Sequence, residues 1–413
     1  MTATPSSHVH PVPSLEALTT RIGAVVDDRA EDLLRWRRDV HQHPEVSWQE
    51  HRTTALVTEH LTEAGLTVRA LPGTGALVDL GAEQPRVRIA LRADLDALPI
   101  EEETGLSYAS VRPGVTHACG HDVHTVGLLG AGLALAAIEE DLAAAGVAVR
   151  LIFQPAEESM PGGAEKLLEL GAVEGVDRLL AVHADPSVDV GYVGLRVGAI
   201  TAASDSVHVS LTGRGGHTSR PHLTQDLTFA LGKVITEVPS VLSRRLDPRS
   251  GTALVWGAVR AGTVANVIPS RGEVIGTLRM LDSETWDTLG PLVEEVVQDV
   301  VRPYGVRAEV QHVQGVPPVT NDPASVTALT AASHAVLGPG TVVATPQSLG
   351  GEDLGWFLTR VPGAMARLGT RPPGGPRHEL HQGDLIVAEE SVLVAARLLA
   401  AAVVTSLGPD GLV

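Results

Sequence analysis

The sequence predicts an α/β protein in which a doubly wound, mostly parallel sheet is interrupted by an inserted βαββαβ unit. Three observations lead there. Near-continuous apolar runs at Val87–Leu91, Val147–Phe153 and Leu179–Val182 read as strands buried on both faces, with helical periodicity between them. Between about residues 201 and 312 the strands alternate apolar with polar positions, as half-buried antiparallel strands do. The helix–strand alternation of the first part then resumes near Pro317, so the middle stretch is an insertion.

In chain order, residues 14–40 carry a helical pattern, and Glu50–Ala64 form a helix stopped by Gly65. Val87–Leu91 is the first buried strand. Asp122 is placed to cap a helix running to about Ala145. Val147–Phe153 and Leu179–Val182 follow as strands. In the insert, Ser206–Leu211 alternates, Gly213–Gly216 turns and Asp226–Val238 is helical. Ala253–Val259, Gly272–Met280 and Val306–Val313 are half-buried strands, with a helix over Ser283–Val301 before the last. That order is ferredoxin-like. A helix over Ile386–Leu407 closes the chain. The expected domains are residues 14–200 with 313–413, the insert 201–312, and a disordered tail at 1–13.

Composition narrows the function. The 413 residues include 49 acidic against 31 basic side chains, a net charge of −18, which argues against a nucleic-acid partner because phosphate binding needs clustered Lys and Arg. Residues 1–13 lack the basic and apolar regions of a signal peptide. The apolar stretch Val126–Ile138 is too short to span a bilayer, and Arg397 breaks Val392–Val404. These features predict a cytoplasmic protein without a membrane partner. Cys119 is the only cysteine, which excludes an intramolecular disulfide and suits a reducing compartment.

Polar groups appear where the apolar elements start or stop. Val87–Leu91 runs into Arg92-Ala93-Asp94-Leu95-Asp96, Val147–Phe153 into Gln154-Pro155-Ala156-Glu157-Glu158, and Leu179–Val182 into His183. Cys119 and His121 stand at the entry of a helix, where the dipole favours thiolate. Ligands of open α/β sheets bind outside the carboxyl ends of the strands, so these groups should converge on one cleft. His121, His183 and a carboxylate of Glu157 or Glu158 are ligands suited to zinc, manganese or nickel, and a thiolate can bridge two cations. Adjacent glutamates past a strand point to different sides, so one can bind metal while the other accepts a proton. His381 is a further candidate ligand. Taken singly, a histidine, a Glu-Glu pair or a lone cysteine is more often structural, and His8, His10, His60, His312 and His334 read that way. At successive strand ends, the joint pattern favours a metal site. A cysteine protease fits less well, since its thiol and imidazole usually come from separate elements.

The chain resembles the dinuclear metallo-amidohydrolases of N-acyl amino acids, which include hippurate hydrolase, bacterial aminoacylases and plant auxin-conjugate hydrolases. The resemblance runs nearly end to end, through Arg38–Glu45 (RDVHQHPE), Leu91–Ile100 (LRADLDALPI), His117–His124 (HACGHDVH), Phe153–Glu158 (FQPAEE), Gly213–His217 (GRGGH), Asn266–Pro269 (NVIP), Gly276–Arg279 (GTLR) and Gly351–Asp353 (GED). It implies two divalent ions per subunit (zinc, manganese, nickel or cobalt). Cys119 would be the bridging ligand, and His121, Glu158, His183 and His381 the others. Glu157 would be the general base and Asp94 a carboxylate that orients a ligand. On the insert, His217 would stabilise the tetrahedral oxyanion, from the partner subunit in dimeric relatives, and Asn266 and Arg279 would contact substrate. The chain departs from the family pattern at Leu380-His381-Gln382-Gly383, where Leu-His-Ser-Pro is usual, at Ala181-Val182-His183-Ala184, and at Leu354, where an aromatic follows Glu-Asp. These departures change pocket walls and leave the ligands in place.

The resulting expectation is a metal-dependent hydrolase that cleaves an N-acyl amino acid to a carboxylate and a free amino acid. The alternatives are a dipeptidase or carboxypeptidase using the same site and, more distantly, a non-catalytic metal-binding protein. Because the insert carries His217, Asn266 and Arg279 but none of the expected metal ligands, it is expected to act as a lid and to pair two copies into a homodimer.

Overall fold

The structure, a computed structural model, describes residues 13–407. The tail expected at 1–13 lies outside the described residues except for Pro13. The chain divides into two compact units: one takes the segments up to Gly198, Asn321–Thr345 and from Phe357 onward, the other Ala199–Thr320 and Pro346–Trp356.

The first unit is built on an eight-stranded mixed sheet, in the order Val68–Ala70, Ala76–Gly81, Val147–Gln154, Val87–Asp94, Arg178–Asp189, Gly363–Arg371, Val193–Leu195 and Val342–Ala344. The central four strands run parallel. Their apolar character follows from burial on both faces: every residue of Val147–Gln154 is buried. Arg150 is tolerated there because its guanidinium pairs with Asp79 on the adjacent strand at 2.9 Å. The flanking pairs Val68–Ala70/Ala76–Gly81 and Ala76–Gly81/Val147–Gln154 are antiparallel. The sheet is therefore mixed with a parallel centre, because the turn after Ala70, with Gly73 and Gly75 at positive φ, sends the chain straight back as a hairpin.

The helix His121–Ala136 is buried along its length except at Ala136, and it packs against Ser391–Thr405. Small residues make this close approach possible: a Cβ on Gly127 would lie 2.6 Å from the Cβ of Ala395. Gly127→Ala should therefore lower stability. Roughly 1 kcal/mol of helix propensity is gained, but overpacking, which costs about 1–3 kcal/mol, outweighs it. A reduced urea midpoint with unchanged m-value is the expected reading.

Several helices differ from the sequence reading: the closing helix starts at Ser391, five residues after Ile386, and the one expected over Asp226–Val238 runs on to Arg245. The pattern over 14–40 splits at Arg29 into Leu15–Asp28 and Ala30–Gln42. The helix after Cys119 starts from Gly120, whose φ of 81° a glycine adopts readily, and a separate short helix covers Glu139–Ala144. Asp122 does not cap it. Its buried carboxylate instead forms an ion pair with Arg37, whose Nε lies 2.7 Å away, and accepts from His41 Nδ1 at 2.8 Å, a stronger use of a charge that has left water.

The second unit is a four-stranded antiparallel sheet ordered Ala253–Ala261, Arg271–Met280, Ala203–Thr212 and Arg307–Val316. The helices Leu227–Arg245 and Ser283–Val301 join the strands in βαββαβ sequence and pack against the sheet. Val207, Val209 and Leu211 point into their shared core, while His208 and Ser210 between them face outward with Glu273 and Arg260. Asp226 and Asp282 cap the two helices by accepting from Phe229 N and Thr285 N.

Candidate metal centre

The carboxyl ends of the central strands and the start of the buried helix bring one set of donors together within the first unit. The ligand atoms of Cys119, His121 and His183 lie within 4.8 Å of one another, as do those of Cys119, Glu158 and His381, and those of His121, Glu157 and Glu158. Two of these sets share the Cys119 sulfur. Cys119 Sγ is 3.6 Å from His183 Nε2, and Glu158 Oε1 is 3.2 Å from His381 Nε2 and 3.8 Å from His121 Nε2.

Hydrogen bonds fix which ring nitrogens face inward. His121 Nδ1 donates to the carbonyl of Asp96 at 2.9 Å, and His183 Nδ1 to its neighbour Ala184 at 2.8 Å. Both Nε2 atoms are thereby turned towards the cluster. His124 sits between these rings but is spent: Nδ1 donates to Asp94 Oδ1 at 2.6 Å and Nε2 accepts from Ala184 N at 2.7 Å. Asp94 thus supports the candidate donors through His124. Its own approach to His121 Nδ1 is 3.7 Å, beyond a hydrogen bond.

Whether the residues fit a divalent cation is decided by buried atoms that lack a hydrogen bond. His121 Nε2 and Glu158 Oε1 are buried without hydrogen bonds, an arrangement costly unless a cation meets them. Burial pushes the Cys119 thiol up to about 12, so helix position alone does not make a thiolate here, against the sequence expectation. A directly bound cation would overcome that desolvation. Burial opposes charge on His121 as well, yet Asp94 and Cys119 together raise it well above the usual histidine range. His183 is driven well below that range by burial and by Arg367, which keeps its imidazole neutral and able to ligate.

Backbone strain collects at the same place. Among the described residues, Trp48, Ala156 and His381 are the non-glycines with positive φ, at 66°, 54° and 63°. Ala156 immediately precedes Glu157, and His381 is held by its N–H donating to Ala118 O at 2.7 Å. The sequence reading left two contributors without a role. One is Asp96, whose carboxylate accepts from Glu157 N at 3.1 Å and Glu158 N at 3.0 Å. The other is His124. The Asp-x-Asp spacing after a strand was the available signal for Asp96. His60 and His312 are structural, stacked on Trp36 and bonded to Asp205 respectively, and His8 and His10 lie outside the described residues.

His217, Asn266 and Arg279 belong to the second unit. His217 is exposed and pairs with Val267 across a two-residue ladder, and Thr218 N donates to Asn266 O at 3.2 Å, so His217 and Asn266 share one corner. His217 Nδ1 accepts from Ser219 N and Oγ at 3.1 and 2.9 Å, which leaves Nε2–H as an outward donor. Arg279 stands elsewhere in this unit and donates to Leu349 O at 2.5 Å.

The profile of peptidase family M20/M25/M40 matches residues 90–405. The chain belongs to this family. It is 35% identical over 370 residues to the N-acetyl-L-cysteine deacetylase of Bacillus subtilis, covering 89% of this chain and 86% of that protein. A Rhodococcus jostii protein with a provisional glutamate–cysteine ligase name is 48% identical over 370 residues, 89% of this chain, and the match spans only 46% of that longer relative. Among solved structures, the Bacillus subtilis YXEP protein, described as a dinuclear metal-binding M20 peptidase, superposes with a TM-score of 0.78 at 32% identity, covering 94% of this chain and 98% of that one. Family membership makes the chain a metal-dependent hydrolase of mixed α/β fold, and its candidate metal-binding groups stand at the strand ends.

Proposed function

We propose that the protein is a metal-dependent hydrolase that cleaves the amide of an N-acyl amino acid to a carboxylate and a free amino acid. The observation that carries this reading is the pair of donor sets sharing Cys119 beside a second, adjacent carboxylate, Glu157. Cys119, His121, Glu158, His183 and His381 would hold two divalent ions, drawn from zinc, manganese, nickel and cobalt. Such ions, when bound, acidify water and polarise the scissile carbonyl. Glu157 takes the proton of the attacking water and delivers it to the leaving amine. His217 donates from Nε2 to the developing oxyanion. Asn266 and Arg279 contact the substrate, and the guanidinium of Arg279 suits its α-carboxylate. Among the described residues no helix is long and apolar enough to cross a membrane, and we place the enzyme in the cytoplasm.

The insert then works as a lid and as the contact between two copies. Registers within the second unit support an action of His217 across that dimer. Arg271 pairs with Thr212 and Arg279 with Ser204, eight residues further along the same strand, which is roughly 27 Å. His217 lies beyond the Thr212 end, next to Val267. An N-acyl amino acid is about two residues long, roughly 7 Å. One substrate held by Arg279 is therefore out of reach of the same copy's His217.

A panel of acetyl, benzoyl and indoleacetyl amino acids with dipeptides, run alongside metal analysis, tests the activity. Turnover confined to dipeptides would replace the proposal with a dipeptidase. His217→Ala should keep its metal and lose kcat by roughly 10²–10³. Mixed with Glu157→Gln, it should regain activity in heterodimers, where one site has both groups. No recovery on mixing would place His217 within its own chain, and normal turnover of His217→Ala would leave it a surface residue of a turn.

A further inference from the structure

The helix His51–Glu63 begins at Glu50, yet the Glu50 carboxylate does not cap it. That task falls to Glu45, whose oxygens accept from Arg52 N at 3.0 Å and Thr53 N at 2.9 Å. Glu50 is fully buried and turned the other way. Its Oε1 accepts from Trp48 N at 2.9 Å and from Ala156 N at 2.8 Å, and its Oε2 accepts from Thr74 Oγ1 at 2.7 Å. Trp48 and Ala156 are two of the three described non-glycine residues with positive φ. The Asp96 carboxylate takes the next two amides, Glu157 N and Glu158 N. Three successive backbone N–H groups of this turn thus end on two buried carboxylates. From the other side Gly163 N donates to Ala156 O at 2.8 Å, and a Cβ on Gly163 would lie 1.8 Å from Pro155 O, so the turn has no room to relax there.

We infer that Glu50 is a positioning residue for hydrolysis: through the Ala156 amide it holds the turn in the left-handed conformation that presents Glu157 and Glu158. The inference rests on Glu157 as the general base and Glu158 as a ligand. An alanine left to itself favours negative φ, because its Cβ crowds the carbonyl in the left-handed region. Without an acceptor for its amide, Ala156 rotates back and carries both glutamates with it. Burying a carboxylate for this purpose is costly, and satisfying three donors offsets that cost. Sequence spacing gives no hint of the link, since Glu50 and Ala156 lie 106 positions apart.

The test uses the full chain, with kcat, KM and Zn²⁺ titration of metal-stripped protein as readouts. Glu50→Ala should lower kcat by roughly 10², the usual result of displacing a reacting group by about 1 Å. It should also weaken Zn²⁺ binding, because Glu158 moves too. Glu50→Gln, whose amide oxygen can accept the same two N–H groups, should recover most of both. The decisive variant is Glu50→Ala/Ala156→Gly: glycine enters positive φ freely, so it should regain roughly tenfold over Glu50→Ala. If Glu50→Ala does not fold, Glu50→Asp retains the charge, retracts the oxygens and should respond to Ala156→Gly in the same way. A lower unfolding midpoint with normal kcat and Zn²⁺ binding, or no gain from Ala156→Gly, would make Glu50 a structural staple only. Failure of the Glu157 assignment shows differently, as normal turnover in Glu157→Gln while the Zn²⁺ titrations of the Glu50 variants still shift through Glu158.

Discussion

Glu157→Gln is expected to bind metal as the parent does and to lose turnover by at least ~10², the scale of a lost general base. The glutamine is nearly isosteric, so the turn held by Asp96 and Glu50 stays in place and Glu158, the proposed ligand, is undisturbed. What disappears is the ability to receive a proton from water and return it to the amine. Glu158→Ala should do the reverse and reduce metal affinity, because its Oε1 is the buried atom without a hydrogen bond that also lies against His121 and His381. Metal content and kcat measured on both variants decide the matter. If the two effects are exchanged, so are the roles, and if both variants bind metal and turn over normally, neither role stands.

Removing the metal should abolish hydrolysis, and Mn²⁺, Zn²⁺, Co²⁺ or Ni²⁺ should restore it after chelation. Cys119→Ala should retain little metal, because both donor sets lose the sulfur they share. The competing expectation is quantitative. A buried cysteine that only fills space costs on the order of 1–3 kcal/mol of stability when truncated and leaves metal content alone. Metal analysis of Cys119→Ala separates the two, and full activity of metal-free protein would overturn the metal requirement itself.

Much of the site was legible because its chemistry is rare. A thiol and an imidazole two positions apart, carboxylates past one apolar run and a histidine in another have few joint uses besides a metal. The helix Ser283–Val301 and the strands at Val87, Val147 and Arg178 were legible for a related reason: long or fully apolar elements impose their period on the sequence. The strands Val68–Ala70, Val193–Leu195 and Val342–Ala344 were not, since three residues hold too little pattern to separate strand from loop. Asp122 misled because an acid near a helix start usually caps it, and only the fold brings Arg37 and His41 against it.

The sequence by itself determined the layout of alternating helices and buried strands and the kinds of donor atom available. Those depend on hydrophobic period and side-chain chemistry, which are local properties. Tertiary structure decided what each donor does. It assigned His121 and His183 their inward nitrogens and spent His124 on Asp94 and Ala184. It bent Ala156 into a conformation that alanine disfavours and supplied Glu50 from a distant helix start to keep it there. A hydrogen bond is settled by distances of a few ångströms between groups far apart in the chain, and no local pattern encodes which of several acceptors a folded backbone will place within reach.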